Sequence, residues 1–426
     1  MKNMNRVVVV AIFALLYSGF AFSQKVFTSV AVPGSSPDTL IAINNTSQVV
    51  VNTGTSDSYQ VSVWSRTDGA QSIGLIGTNS GGAGINNSGS VVGAGDPDHS
   101  GNLQAFLSQP TEGVDWLGSL GGNLSAASGI NDSGAAVGLS YTGTNSQHAF
   151  LWTQAGGMQD LTPELISVGG ATAVAINSSN QVVGYYFPNG SLNTLGFLWT
   201  QAAGLQNLGS AGTLAFAINN SGTVVGQSPL ANGYRHAFSW TQNGGIKDLG
   251  TLGGVESSAL SINSQGWIVG TSLTNTGDGI LHGFLWTPSA GMQDFTVVAG
   301  LASGRQTYSA QVNDFGVIAI STNNGSFLLI PTMTATVTSS ANPSVLGQPV
   351  TFTANVTSFA GPPPDGETVQ FVVSGSVVAS AALKGGVAQF TTSAITLGSH
   401  IVEAKYNGDE NYLPAKYTAL TQVVNQ

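Results

Sequence analysis

The chain has 426 residues, with 10 Lys and Arg against 20 Asp and Glu, giving a net charge of −10. Charged residues make up 7% of it, against ~25% in an average soluble domain, and there are 57 glycines and no cysteine. The missing cysteine excludes a disulfide scaffold, a cysteine-ligated zinc site and a cysteine nucleophile. The acidic balance argues against nucleic acid, because too few cations are present to displace phosphate counterions.

Lys2 and Arg6 precede an apolar run from Val7 to Phe20. That run is shorter than the ~20 residues of a membrane span. Ala21-Phe22-Ser23 is a small-x-small cleavage site. Residues 1–23 therefore read as a signal peptide, with cleavage before Gln24. No second apolar run of spanning length follows. The expected product is acidic, has no membrane span after signal cleavage, and is extracellular or associated with the cell surface.

An apolar residue followed by Asn then recurs: Ile43-Asn44, Ile85-Asn86, Ile130-Asn131, Ile176-Asn177, Ile218-Asn219, Ile262-Asn263 and Val312-Asn313. Successive spacings are 42, 45, 46, 42, 44 and 50 residues, near the roughly 40–45 residues of one four-stranded propeller blade. Each unit opens on a small-residue run such as Ala171-Thr172-Ala173-Val174-Ala175-Ile176. A polar turn such as Asn131-Asp132-Ser133-Gly134 follows, with a glycine free to take positive φ. A short β-branched strand such as Val224-Val225-Gly226 comes next, then an aromatic strand such as His148-Ala149-Phe150-Leu151-Trp152-Thr153, then a fourth such as Met158-Gln159-Asp160-Leu161. The seventh unit stops after its aromatic strand, Ser326-Phe327-Leu328-Leu329-Ile330. Val26-Phe27-Thr28-Ser29-Val30-Ala31-Val32 is an orphan strand standing before the first unit. Pairing the orphan with the truncated unit closes a ring and removes a free sheet edge. Residues 25–331 are thus predicted to form a seven-bladed β-propeller. The blocks His148–Thr153, Arg235–Thr241 and His282–Thr287, with Asp248-Leu249-Gly250-Thr251-Leu252-Gly253-Gly254, resemble the HAF-type extracellular repeat of bacteria. The resemblance implies export and repetition, and no activity. The second unit departs from it, with Ser108 where Trp is expected.

After Pro331 the tryptophans and the repeat stop. Val350-Thr351-Phe352-Thr353-Ala354-Asn355-Val356 alternates apolar and polar, as a strand with one buried face does. Val369–Val373, Val387–Phe390 and His400–Tyr406 read likewise, so residues 332–426 are expected to form a β-sandwich. The strings Asn342-Pro343-Ser344, Gly347–Phe352 and Tyr406-Asn407-Gly408-Asp409-Glu410-Asn411-Tyr412 resemble a bacterial Ig-like domain, which implies a spacer or adhesive module. The fold class is all-β: a propeller followed by an Ig-like sandwich.

Candidate chemistry is sparse. Trp64, Trp152, Trp199, Trp240 and Trp286 share one repeat position and read as fillers between blades, with sugar-stacking platforms as the functional alternative. Trp116 and Trp267 fall off that position and are the better candidates for an exposed platform. His148, His236 and His282 recur one per unit, so they are expected to lie around the ring and hydrogen-bond locally. Asp160, Asp248 and Asp294 belong to the repeat and suggest strand-end hydrogen bonds. A catalytic pair should break the repeat. The acids that do so, Glu112, Glu164, Glu256 and Asp278, form no recognisable pair by spacing. Asp96, Asp98 and Ser100, followed by Gly101, place oxygens at alternate positions and make one candidate calcium site. No catalytic residue is identified and the ligand-binding residues stay unknown. The first reading is an exported, non-enzymatic binding or adhesion protein, whose partner is an extracellular polysaccharide or a cell-surface protein. A carbohydrate-active hydrolase or lyase and a structural matrix component are the alternatives.

Overall fold

The computed structural model describes residues 25–426 except 34–39, 54–59, 75, 165–169, 189–190, 192, 278 and 303. The signal-peptide segment and Asp278 lie outside the described residues. Almost all regular structure is β. The one α-helix among the described residues is the single turn Phe295–Val298.

The repeats fold as four-stranded antiparallel sheets, each made from consecutive strands. Sheet one runs from Leu40 to Ser72, sheet two from Thr78 to Gly118 and sheet three from Gly121 to Asp160. Sheet four spans Ala171 to Leu208, sheet five Leu214 to Asp248 and sheet six Gly253 to Asp294. Sheet seven takes three strands from Thr307–Pro331 and its fourth from Phe27–Ala31, in the register Phe27↔Pro331 to Ala31↔Phe327. The orphan strand does complete the truncated unit.

The sheets stack face to face, and the face pattern follows from the two-residue strand period. In sheet three, Phe150 and Trp152 face sheet two and share a core with Leu107 and Leu117. Leu151, on the opposite face, joins Trp199 and Phe197 of sheet four. The same interlock joins every consecutive pair of sheets. It also joins sheet seven to sheet one, where Val317, Ala319 and Leu328 meet Val49 and Trp64. The stack is therefore cyclic and propeller-like. The recurring tryptophans fill the seams, as the structural reading expected. The second strands of sheets two to six need their glycine for space: a Cβ on Gly184 of Val182-Val183-Gly184 would lie 2.0 Å from the Thr172 carbonyl oxygen, and Gly93, Gly138, Gly226 and Gly270 meet a carbonyl oxygen at the same distance.

Residues 333–425 form a two-sheet sandwich. One sheet holds Thr334–Ser339, Val350–Thr357, Val387–Thr392 and Lys416–Thr418; the other holds Ser344–Val345, Thr368–Val373, Ser376–Ala382, Gly398–Tyr406 and Leu420–Asn425. Its core is Phe352, Phe371, Val369, Val356 and Val402, all at 0% exposure. Alternation along 350–356 places that core as the sequence predicts.

The sandwich is docked on the ring, across turns of sheets six, seven and one. Glu410 accepts the backbone amides of Arg66 (3.0 Å) and Thr67 (2.9 Å), and Arg66 Nη1 donates to the carbonyls of Asp409 and Glu410. Asn411 donates to Asn45 O (2.9 Å) and accepts from Ser47 Oγ (2.6 Å). Phe359 packs on Trp267 and Phe27, and Tyr412 on Phe315. The ring-side residues Ser47, Trp267 and Phe315 are departures from the repeat. Ser47 stands where five units have Gly, holds φ +54°, and spends its hydroxyl on Asn411.

Candidate functional site

Three places in the ring carry chemistry: the axial turns, the outer His–Asp pairs and a cleft between sheets one and two.

The recurring asparagines form a closed belt around the axis. Asn44 Nδ2 donates to the Asn86 carbonyl (3.0 Å), and Asn86 to Asn131 (3.2 Å), Asn131 to Asn177 (3.0 Å) and Asn177 to Asn219 (3.1 Å) follow. Asn219 donates to Asn263 (3.0 Å), Asn263 to Asn313 (3.0 Å), and Asn313 returns to Asn44 (3.1 Å). All of them are buried. Each Oδ1 also accepts amides within its own turn, as Asn131 does from Ser133 and Ala135. A carboxamide suits the place because it donates and accepts at once.

One residue further along, the turns line a cavity of about 220 Å³ on the axis. Asn45, Asn87, Asp132, Ser178, Asn220 and Asp314 stand around its mouth. The two acids here escaped sequence analysis, because they sit inside the repeat where other units carry Asn or Ser. Both are already engaged. Asp132 accepts from Asn87 N (2.9 Å) and Asn87 Nδ2 (2.8 Å). Asp314 accepts from Ser264 N (2.7 Å) and Asn45 Nδ2 (2.8 Å). They act as links between neighbouring turns, Asp132 to Asn87 and Asp314 to Ser264 and Asn45.

The repeat histidines and aspartates pair with one another. Nδ1 of His148, His236 and His282 lies 2.7, 3.0 and 2.7 Å from Asp160, Asp248 and Asp294. Each aspartate also accepts the amide two residues on, from Thr162, Gly250 and Thr296. Ser140 is the cross-strand neighbour of His148. Its hydroxyl serves the backbone at Leu120 and Leu124 instead of the imidazole, so the nucleophile–base contact of a triad is not made. Among the described residues no three His, Asp or Glu side chains gather as a metal group.

The loop of Asp96, Asp98 and Ser100 is bound to its own backbone. Asp96 accepts from Ser100 N (3.0 Å) and Gly101 N (2.8 Å), and Asp98 from Ser100 N (3.2 Å). The bonds from Ser100 hold the Asp98 carboxyl below the usual range. Glu112 accepts from Gln109, Glu256 is exposed, and Glu164 lies beside Asp160 at the edge of sheets three and four. Of the two off-position tryptophans, Trp267 is 8% exposed under the sandwich, whereas Trp116 is 36% exposed and leans edge-on to Phe106. In the sandwich, Tyr406 donates a short hydrogen bond to Glu367. Burial raises the Glu367 carboxyl and the Tyr406 phenol alike.

The third place is a cleft of about 430 Å³ between sheets one and two. Val49, Ala136, Val182, Val224 and Ile268 each pair with a tryptophan in the adjoining strand, and Ile318 pairs with Leu329. The equivalent residue of sheet two, opposite Val91, is Ser108. Among the described residues no aromatic side chain lines the space beside it.

A cyclic stack of four-stranded sheets carrying an Ig-like sandwich is thus the class of molecule. Residues 333–425 match the bacterial Ig-like domain (group 3). No curated protein sequence matches the chain. Among solved structures, it is similar to TolB from Acinetobacter baumannii at 8% identity and TM-score 0.39, covering 64% of this chain and 60% of TolB. It is similar to streptogramin B lyase at 12% identity and TM-score 0.44, covering 72% of this chain and 96% of the lyase. The extracellular domain of a hybrid two component system from B. thetaiotaomicron is similar at 11% identity and TM-score 0.40, covering 94% of this chain and 58% of that one. No helix among the described residues is long and apolar enough to cross a membrane.

Proposed function

We propose that the protein is an exported, non-enzymatic binding protein. In this reading each four-stranded sheet is one blade of a seven-bladed propeller of HAF-type repeats. The ring presents its loops and clefts to a glycan or protein ligand outside the cell. Export rests on the segment 1–23.

One observation carries the reading against the hydrolase or lyase alternative. The acids that reach the axial mouth, Asp132 and Asp314, each accept two hydrogen bonds from ring neighbours. A general acid and base need carboxyl groups free to face substrate across a gap. The low charge and abundant Ser, Thr and Asn favour hydrogen-bonded recognition over electrostatic capture.

The test is retention of purified residues 24–426 on insoluble bacterial and plant polysaccharides, with soluble-sugar release followed in parallel. Selective retention without release is expected. Release of product would establish the enzyme instead. Absence of retention on every polymer would remove glycans and leave protein partners or a matrix role.

Calcium at Asp96, Asp98 and Ser100 belongs to the same proposal. Thermal unfolding with calcium and with chelator reads it. A Tm rise with calcium that vanishes in Asp98→Asn assigns the ion. An unchanged Tm leaves the amide bonds as the loop's whole account.

A further inference from the structure

The repeat has a rule at each seam. The aromatic strand turns a large apolar side chain toward the preceding sheet, and that side chain fills the gap. Sheet two alone breaks the rule, with Ser108. The gap has not collapsed. It remains as the 430 Å³ cleft between sheets one and two, within the ~300–1,000 Å³ range of small-molecule sites. At this position the seam forfeits the packing that Trp or Leu supplies in the other six; the space of about 450 Å³ at the rim of sheets three and four differs in lying beside Trp199, which is in place. A local departure from an otherwise consistent rule is where function is expected.

We infer that this cleft is the ligand site, and that it takes a neutral, hydroxyl-rich ligand of the size of a short saccharide. The inference rests on the binding reading above and names its site. The chemistry of the walls selects the class. Gln71, Ser88, Ser108 and Gln109 bring hydroxyls and carboxamides to the walls; Gln71 and Gln109 donate to Asp68 O and Glu112, and Ser88 to Asn86, so their oxygens offer the ligand acceptors. The Ser108 side chain is buried in the wall. Among the described residues no Lys or Arg lines the space to pair with an anion. Asp68, the one carboxylate among the described lining residues, accepts from the Ser65 hydroxyl and disfavours an anion further. Val63 and Ile73 supply an apolar floor for the C–H face of a sugar ring.

The repeat itself supplies the test. Ser108→Trp writes the residue of five other units into the second, and should fill the cleft. Titration calorimetry with cellohexaose, xylohexaose, mannohexaose, maltohexaose and chitohexaose, beside the polymer panel, measures binding. Wild type is expected to bind at least one. Ser108→Trp is expected to weaken that binding at least tenfold, with an equal or higher Tm. Should the indole prevent folding, Ser108→Leu, which copies the seventh unit, gives the same reading. A folded Ser108→Trp or Ser108→Leu that binds as wild type does would overturn the site and leave the binding reading standing. Wild type that binds a protein ligand but no saccharide would overturn the ligand class. Wild type that binds nothing would overturn both.

Discussion

Phe27→Ala should lower the free energy of unfolding by about 3–5 kcal/mol, the range for truncating a buried Phe. Phe27 is 0% exposed and shares a core with Phe295, Val298 and Leu329 at the junction of sheets six and seven. It also touches Phe359 of the sandwich edge-on. Its strand is held to the rest by sheet pairing and by Val26 N to Val298 O (2.9 Å), Val32 N to Ser326 O (3.0 Å) and Thr332 N to Val26 O (2.8 Å). The substitution therefore loosens the strand that completes the last sheet. Losing that strand would bare the edge of Gly325–Pro331, a template for aggregation. Urea unfolding of both proteins measures the effect, with light scattering as the check on association. A difference under about 1 kcal/mol, below the usual range for a core Phe, would mean that the first strand does not hold the ring closed.

Asn313 should be the most sensitive member of the asparagine belt, because it serves the ring and the sandwich together. Its Nδ2 donates to Asn44 O (3.1 Å) and lies 3.2 Å from Asn411 Oδ1, while its Oδ1 accepts from Phe315 N (3.0 Å) and Val317 N (2.9 Å). Asn313→Ala strands buried groups on both sides, at ~1–3 kcal/mol each. Asn313→Asp keeps the acceptor for the two amides but turns a carboxylate oxygen toward Asn44 O and Asn411 Oδ1. It should be the worse of the two at pH 7, despite its matching shape. Burial and facing oxygens raise the folded-state pKa of that new carboxyl. Its protonated form can donate to Asn44 O again. The sign follows: the Asn313→Asp deficit is smallest below the unfolded value of ~3.9 and grows as pH rises through the folded one. Unfolding of both variants at pH 4 and pH 7 measures this. Equal deficits for Asp and Ala at both values would mean that the belt is not set by donor direction.

Much of the ring was legible because its rules are local. Strand alternation, the Gly of each turn and the unit length depend on residues a few positions apart, so they survive without any fold in view. The tryptophans were legible as fillers because Phe150 and Leu151 already showed that both faces of one strand want burial. The belt was half legible. The recurrence of Asn was plain, but its partner is a carbonyl more than 40 residues away. The His–Asp pairs were seen as two separate recurrences. Only strand register set 12 residues apart within hydrogen-bond reach.

The sequence by itself determined the all-β class, the unit, the pairing of the first strand with the last unit and the second module. Periodicity and turn chemistry act through neighbours along the chain, and repetition multiplies the signal. The tertiary structure decided what the exceptions mean. Ser47, Trp267 and Phe315 look like noise in their repeats until the sandwich is seated on them. Asp132 and Asp314 look like free acids until the adjoining turns supply their donors. Ser108 looks like a weak copy of the repeat until the gap beside it is seen to stay open. Whether a departure makes an interface, a hydrogen bond or a cleft depends on which distant surface arrives next to it, and only the closed ring sets that.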